Sequence, residues 1–174
     1  MKRSTIERPF HTGGTNLNQT EFHRLATSYL DTVYRVALNG CKNQADAEDV
    51  VQNTFIKLLN KKDNFIDEEH ARKWLIRVAV NECNSLWRSP WRKHTSSLEE
   101  LTTEPTFSSP EKSALYYAIR ELPVKYRQAI HLYYFEGYQV KEIADIIGIS
   151  ETAVQTRLLR ARQKLKEILK EAWQ

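Results

Sequence analysis

The sequence has little glycine and little proline, 5 of each in 174 residues. That scarcity excludes collagen-like and low-complexity chains and argues against a turn-rich all-β fold. No G-x-G-x-x-G and no G-x-x-x-x-G-K-[ST] string occurs, so the common glycine-rich phosphate cradles are absent. Cysteine is sparser still. Cys41 and Cys83 do not make a disulfide framework, and each reads as a small core or edge residue. No apolar run approaches the roughly 18 residues of a membrane span. Met1 to Asn18 also lack the apolar stretch of a signal peptide. A cytoplasmic protein without membrane insertion is expected. The 5 histidines are scattered, with no metal-ligand spacing. No catalytic constellation emerges, so the sequence predicts neither an enzyme nor a metal or cofactor site.

What the chain does have is charge and helical period. Lys and Arg number 26 against 22 Asp and Glu, a formal net charge of +4. With 41% hydrophobic residues the chain is globular rather than disordered. A composition shift divides it. Residues 1–18 read as a flexible basic arm, and residues 19–92 as a first helical domain. Ser89 to Ser109 hold Pro90, Pro105 and many Ser and Thr, so residues 93–109 read as a flexible linker. Residues 110–174 form a second helical domain. Both domains are net basic and the linker is net acidic.

Three apolar stripes at helical spacing organise the first domain. Phe22, Leu25, Ala26, Tyr29, Val33 and Val36 mark one helix, with Asn18 at its start. Ala47, Val50, Val51, Phe55 and Leu58 mark a second, capped by Asn43. Ala71, Trp74, Leu75, Val78, Ala79 and Leu86 mark a third, entered through Asp67-Glu68-Glu69. In the second domain, Ser109-Pro110-Glu111 opens a helix that Pro123 ends. Further helices follow around Tyr126 to Tyr133, Val140 to Ile147 and Val154 to Leu169. No segment alternates as a strand would. The expected fold class is all-α: two small helical domains, the second holding a helix-turn-helix.

That motif spans residues 139–160. A short apolar helix, the turn Gly148-Ile149-Ser150 and a capped second helix have the required shape. Val154 and Leu158 face inward. Thr152, Gln155, Thr156, Leu159 and Arg160 then point outward near the helix start, where a recognition helix meets base edges. Gln suits adenine and Arg suits guanine. Arg157 and the lysines beyond it suit phosphate. The plainer alternative is a solvated basic helix.

The first domain offers two more surfaces. On the second helix Asp49, Gln52 and Asn53 lie beside Ile56, an apolar residue on a polar face. It is either a docking point or one ordinary exposed residue. On the third helix Arg72, Lys73, Arg77, Asn81, Asn84 and Arg88 form a basic face, with Trp74, Trp87 and Trp91 nearby. Basic residues interleaved with aromatics suit single-stranded nucleic acid. Trp74 also fits the apolar stripe, so core packing is the competing role. The turn Asp63-Asn64-Phe65-Ile66-Asp67 ahead of this helix could cup an unstacked base.

The whole pattern resembles the second and fourth regions of bacterial RNA polymerase sigma factors of the extracytoplasmic-function group, from about Phe22 to Leu169. The strings that carry the resemblance are Ala47-Glu48-Asp49-Val50-Val51-Gln52-Asn53-Thr54-Phe55, Trp74-Leu75-Ile76-Arg77-Val78-Ala79-Val80-Asn81, Glu121-Leu122-Pro123, Tyr133-Tyr134-Phe135-Glu136-Gly137-Tyr138 and Leu158-Leu159-Arg160-Ala161-Arg162. The resemblance implies that Asp49, Gln52, Asn53, Phe55 and Ile56 grip the β′ coiled coil of core RNA polymerase. Asn53 stands where the family usually has an acid. It implies that Phe65, Ile66, Asp67, Lys73, Trp74, Arg77 and Asn81 melt and read the −10 promoter element. It implies that Lys141, Ser150, Thr152, Gln155, Thr156, Arg157, Leu159 and Arg160 bind the −35 element. Contact of the second domain with the β flap, and control by an anti-sigma factor, are implied too. The rival expectation is a stand-alone helix-turn-helix repressor, which would need a dimer for two half-sites.

Overall fold

A computed structural model describes residues 17–88 and 108–172, and all regular structure among them is helical. Most of the expected arm and most of the expected linker lie outside the described residues. Leu17, assigned to the arm by the sequence division, is buried against the first domain.

Local signals set the helix boundaries. Helix α1 runs Gln19–Cys41, and the Asn18 side chain accepts from the Glu21 N–H at 2.7 Å. It stops at Lys42, which takes a left-handed conformation at φ 72°. Helix α2, Gln44–Leu59, starts on Asn43, whose side chain accepts from the Asp46 N–H at 2.8 Å. Helix α3, Glu68–Arg88, starts on Asp67, whose carboxylate accepts from the His70 N–H at 2.7 Å. These caps satisfy N–H groups that a helix start leaves unpaired.

In the second domain Ser109 and Pro110 open α4, Pro110–Glu121. Helix α5, Val124–Ile130, runs on into a π-helical turn over His131–Phe135. Gly137, at φ +76°, reverses the chain into α6, Val140–Ile147. Gly148, at φ +75°, supplies the left-handed turn that the sequence predicts, and α7 follows over Glu151–Ala172. The Ser150 hydroxyl caps α7 by accepting from the Ala153 N–H at 3.2 Å.

Helices α1, α2 and α3 close around Leu25, Val33, Val50, Leu58, Leu75 and Ala79, all fully buried. Helices α4 to α7 close around Leu122, Leu132, Ile143, Val154, Leu158 and Ala161. The sequence predicts two domains on a tether. In the structure they also pack together, α5 against α1 and α6 against α3, and their cores merge. That docking explains Ile76 and Val80, which fall outside the expected apolar stripe of α3 yet are buried. Helix α3 has partners on both sides, α1 and α2 on one and α6 on the other, so it needs two apolar stripes.

Arg127 of α5 holds the junction. Its side chain is 1% exposed. It donates to Gly40 O at 2.9 Å, to Leu122 O at 2.6 Å and to Asn39 O. Asn39 and Gly40 are in the last turn of α1, where carbonyls have no partner within the helix. A cation from the second domain therefore caps a helix of the first and complements its negative end. Burial, helped by the nearby Arg120 charge, lowers the Arg127 pKa to about 10, which leaves it charged at neutral pH.

Candidate nucleic-acid and protein-binding surfaces

The N-terminal face of α7 is open. Thr152, Gln155, Thr156, Leu159 and Arg160 are exposed, as are Ser150 and Lys141, and Arg157 is half-buried. This is the arrangement that the helix-turn-helix spacing predicts: an exposed helix start with its inward residues, Val154 and Leu158, buried. Ser150 is occupied as the cap. The Thr156 hydroxyl donates back to Thr152 O at 2.8 Å, which leaves its methyl group and the lone pairs of its oxygen outward.

A shallow notch beside this face is lined by Lys125, Tyr126, Ser150, Thr152, Arg157 and Arg160. The Tyr126 hydroxyl hydrogen-bonds with Arg160, and that contact pulls the phenol pKa below its usual value. The Lys125 ammonium lies over the Tyr126 ring, 5.1 Å from its centroid. Sequence reading missed Lys125 and Tyr126. Tyr126 falls on an apolar stripe, and nothing local shows that its hydroxyl reaches α7.

The basic face of α3 is in a different state, because the second domain lies across it. Lys73 donates to the Glu142 carboxylate of α6 at 2.7 Å. Arg77 donates to Asp145 O of the same helix. Arg72 donates to the Glu136 carboxylate at 3.0 Å, and its guanidinium sits 4.7 Å from the Tyr138 ring centroid. The pairing with Glu142 raises the Lys73 pKa, and in turn the Lys73 contact lowers that of Glu142.

Glu136 is the most enclosed of these acids, its side chain 2% exposed. Burial alone would push its carboxyl up. His131, Arg35 and Arg72 together outweigh that and hold it below the usual carboxylate value. Arg35 reaches it from α1 at 3.4 Å and His131 from α5's π-helical extension at 3.3 Å. Glu136 thus joins three elements, two of them from the other domain.

The remaining residues assigned to the −10 element split by position. Ile66 is 77% exposed and Asn81 is exposed, so both are open to a partner. Asp67 is engaged as the α3 cap. Trp74 is half-buried, packed edge-on against Phe65 with centroids 5.6 Å apart, and Lys61 lies over both rings. Trp74 therefore supports the Phe65 loop from beneath, which accommodates its place on the apolar stripe. Trp87 donates to Gly40 O at 3.1 Å at the domain edge, and Trp91 lies outside the described residues.

On α2, Asp49, Gln52, Asn53 and Ile56 form an exposed strip, and Phe55 is half-buried against the core. Ile56 is not alone. Leu59, on the same helix, is 54% exposed, and Leu30 of α1 is 48% exposed. Leu30, Tyr34, Val51 and Gln52 line a groove between α1 and α2, with Asp31 and Glu48 at its rim. Sequence reading missed the α1 side of this surface, because helix period alone does not say which helices lie side by side.

Residues 25–93 match the protein family Sigma-70 region 2, and residues 112–165 match Sigma-70, region 4. The chain is 31% identical over 147 residues to the ECF RNA polymerase sigma factor SigM of Bacillus subtilis, covering 80% of this chain and 90% of that protein. It is 29% identical over 156 residues to the RNA polymerase sigma factor SigZ of the same organism, covering 86% and 83%. Among solved structures, the sigma factor RpoE in complex with the anti-sigma factor NepR from Bartonella quintana superposes with a TM-score of 0.73 at 26% identity, over 87% of this chain and 98% of that one. CnrH in complex with the cytosolic domain of CnrY gives 0.63 at 26% identity, over 88% and 90%.

Proposed function

The chain belongs to the sigma-70 family, and we propose that it works by opening: its second domain must leave α3 before the first can engage the −10 element. It is a sigma factor that directs RNA polymerase to promoters, and it is not an enzyme. The rival expectation of a stand-alone repressor fails, because the first domain is sigma region 2 rather than a ligand or dimerisation domain.

The observation that carries the opening step is the contrast between two basic faces. The α7 face is exposed, while Lys73, Arg77 and Arg72 on α3 are held by Glu142, the Asp145 carbonyl and Glu136. Among the described residues, those assigned to the −35 element make no hydrogen bond to the first domain in this form, whereas Lys73 and Arg77, assigned to the −10 element, are both bonded to α6. The sigma factor RpoE, whose solved complex contains the anti-sigma factor NepR, superposes over 87% of this chain. This supports the reading that the closed form is the one an anti-sigma factor would hold and core polymerase would displace.

In the open form the roles divide as follows. The α2 strip of Asp49, Gln52, Asn53, Phe55 and Ile56 docks on the β′ coiled coil. Phe65, Ile66 and the freed α3 face, with Lys73, Arg77 and Asn81, take the unstacked −10 strand. Thr152, Gln155, Thr156, Leu159 and Arg160 face −35 base edges, Lys141 and Arg157 face its backbone, and Ser150 holds the start of α7 against it. The second domain also contacts the β flap. The boundaries near residues 92 and 110 separate the two DNA-binding domains, and the place of action is the cytoplasm, where the polymerase is. Tethering makes each weak contact reinforce the other through effective concentration. Holding flipped bases offsets an unstacking cost of a few kcal/mol.

Sizing-column chromatography with bacterial core RNA polymerase tests this reading. The chain should be monomeric alone and co-elute with core at one copy per enzyme. A free dimer that ignores core polymerase would refute it.

A further inference from the structure

Beneath the Arg127 clasp lie the two cysteines of the chain. Cys41 ends α1 and Cys83 is in the last turns of α3. Their sulfurs are 3.6 Å apart, with Cys41 4% and Cys83 0% exposed. The last turn of α1 rides directly on Cys83: a Cβ at position 40 would fall 2.5 Å from its sulfur, so only glycine fits. The Asn39 and Gly40 carbonyls of this same turn receive Arg127, and the Arg127 charge acts on both thiols.

We propose that Cys41 and Cys83 form a redox-active dithiol, closed to a disulfide by a peroxide-class oxidant, and that this closure releases the second domain. The proposal rests on the docking of the two domains and is independent of what the open form binds.

The chemistry balances with one hydroperoxide. One cysteine sulfur attacks a peroxide oxygen, the O–O bond breaks, and a sulfenic acid and one water form. The second sulfur then attacks the S–OH sulfur, the S–S bond forms, and a second water leaves with the remaining thiol proton. Two thiols and one hydrogen peroxide become one disulfide and two waters. The sulfur pair gives up two electrons and the peroxide takes them.

Docking controls the reaction. The thiolate is the nucleophile. In the closed form the hydrogen bond with Cys41, then burial, hold the Cys83 thiol far above its usual pKa. Oxidation therefore goes through the open form, in which the end of α1, freed of Arg127, loosens from Cys83. The product disfavours reclosing. The sulfurs must draw in from 3.6 Å to about 2.05 Å. Cys83 already touches the α1 backbone at Gly40, so the contraction displaces the turn that presents its carbonyls to Arg127. Hydrogen bonds weaken steeply with such misalignment.

The test treats the full chain with hydrogen peroxide and follows three readouts: intact mass, a non-reducing digest, and small-angle scattering. The expected result is loss of two hydrogens, a Cys41–Cys83 cross-linked peptide and a larger radius of gyration, all reversed by dithiothreitol. Arg127→Gln should speed disulfide formation by about tenfold at equal peroxide, as weaker docking populates the open form. Because Arg127→Gln could unfold the second domain, Gln128→Ala, which loses the 3.2 Å bond to Asn84 and the packing of one buried side chain but leaves the Arg127 contacts in place, should show a smaller acceleration in the same direction. Oxidation without the cross-link, or a cross-linked chain as compact as the reduced one, would overturn the proposal. A reduced chain that is already extended would instead overturn the docking on which it rests, whatever the digest shows.

Discussion

The Lys73 ammonium and the Glu142 carboxylate meet at 2.7 Å although 69 positions separate them in the chain. One belongs to the helix assigned to the −10 element, the other to the first helix of the helix-turn-helix. Glu142 also accepts from the Gln139 N–H at 2.9 Å, so the group that caps α6 neutralises α3 as well. One residue thereby couples the start of the helix-turn-helix to the basic face of α3 that is proposed to take the −10 element.

Glu142→Gln removes the charge and keeps an oxygen for the cap. A partly exposed ion pair contributes about 0–1 kcal/mol, so the variant should open the closed form by no more than about fivefold. Binding to a single-stranded −10 oligonucleotide at moderate salt should rise by that factor. The gain should vanish when Lys73→Ala is added, since the released residue would then be missing.

Asp49→Lys reverses charge on the exposed α2 strip. Surface changes of this kind shift stability by only about 0.5 kcal/mol. Affinity for core polymerase should nevertheless fall at least about tenfold, or 1.4 kcal/mol. Parallel thermal unfolding and core-binding titrations separate the two effects. Unchanged core binding would remove α2 from the polymerase interface.

Arg160→Ala should cost about 1–3 kcal/mol at one position of the −35 element and little elsewhere. A selection from randomised promoters reads this directly. Tyr126→Phe, which deletes only the hydroxyl that meets Arg160, should reproduce part of that loss at the same position. An equal loss on all promoters would make Arg160 a phosphate contact.

Glu136 makes the junction acid-sensitive. Its folded-state pKa lies below the usual carboxylate value, so the ionised form is favoured by folding. Its contribution is complete above the unfolded pKa of about 4.3 and is lost as pH falls through the lower folded value. Thermal unfolding of the wild type should therefore lose stability below about pH 4 more steeply than Glu136→Gln. The variant should be the less stable of the two at pH 7, where Arg35 and Arg72 keep their charge but lose its partner. Identical pH profiles would show that Glu136 contributes nothing through its charge.

The helix-turn-helix was legible because its signals are local. Gly148 supplies the left-handed turn, Ser150 supplies a cap, and Val154 and Leu158 leave the intervening residues outward. The caps at Asn18, Asn43 and Ser109 were legible for the same reason, since each reaches no further than three residues. Ile76 and Val80 were not. On the helical wheel they lie beside the charged residues of α3 that the second domain engages, and their burial goes with the docking of that domain. Arg127 reads in sequence as one more basic residue, but the Asn39 and Gly40 carbonyls that make its burial tolerable come from more than 80 positions away.

The amino-acid order by itself determined an all-helical chain, its division into two basic domains, the position of its recognition helix and its resemblance to sigma factors. Those properties follow from hydrophobic period, capping and turn chemistry, which act over a few residues. Tertiary structure decided which basic face stands free and which is bonded to the other domain, and where the buried Arg127, Glu136 and cysteine pair lie. Such relations depend on how two domains dock, and docking is set by groups far apart in the chain whose pairing no local pattern encodes.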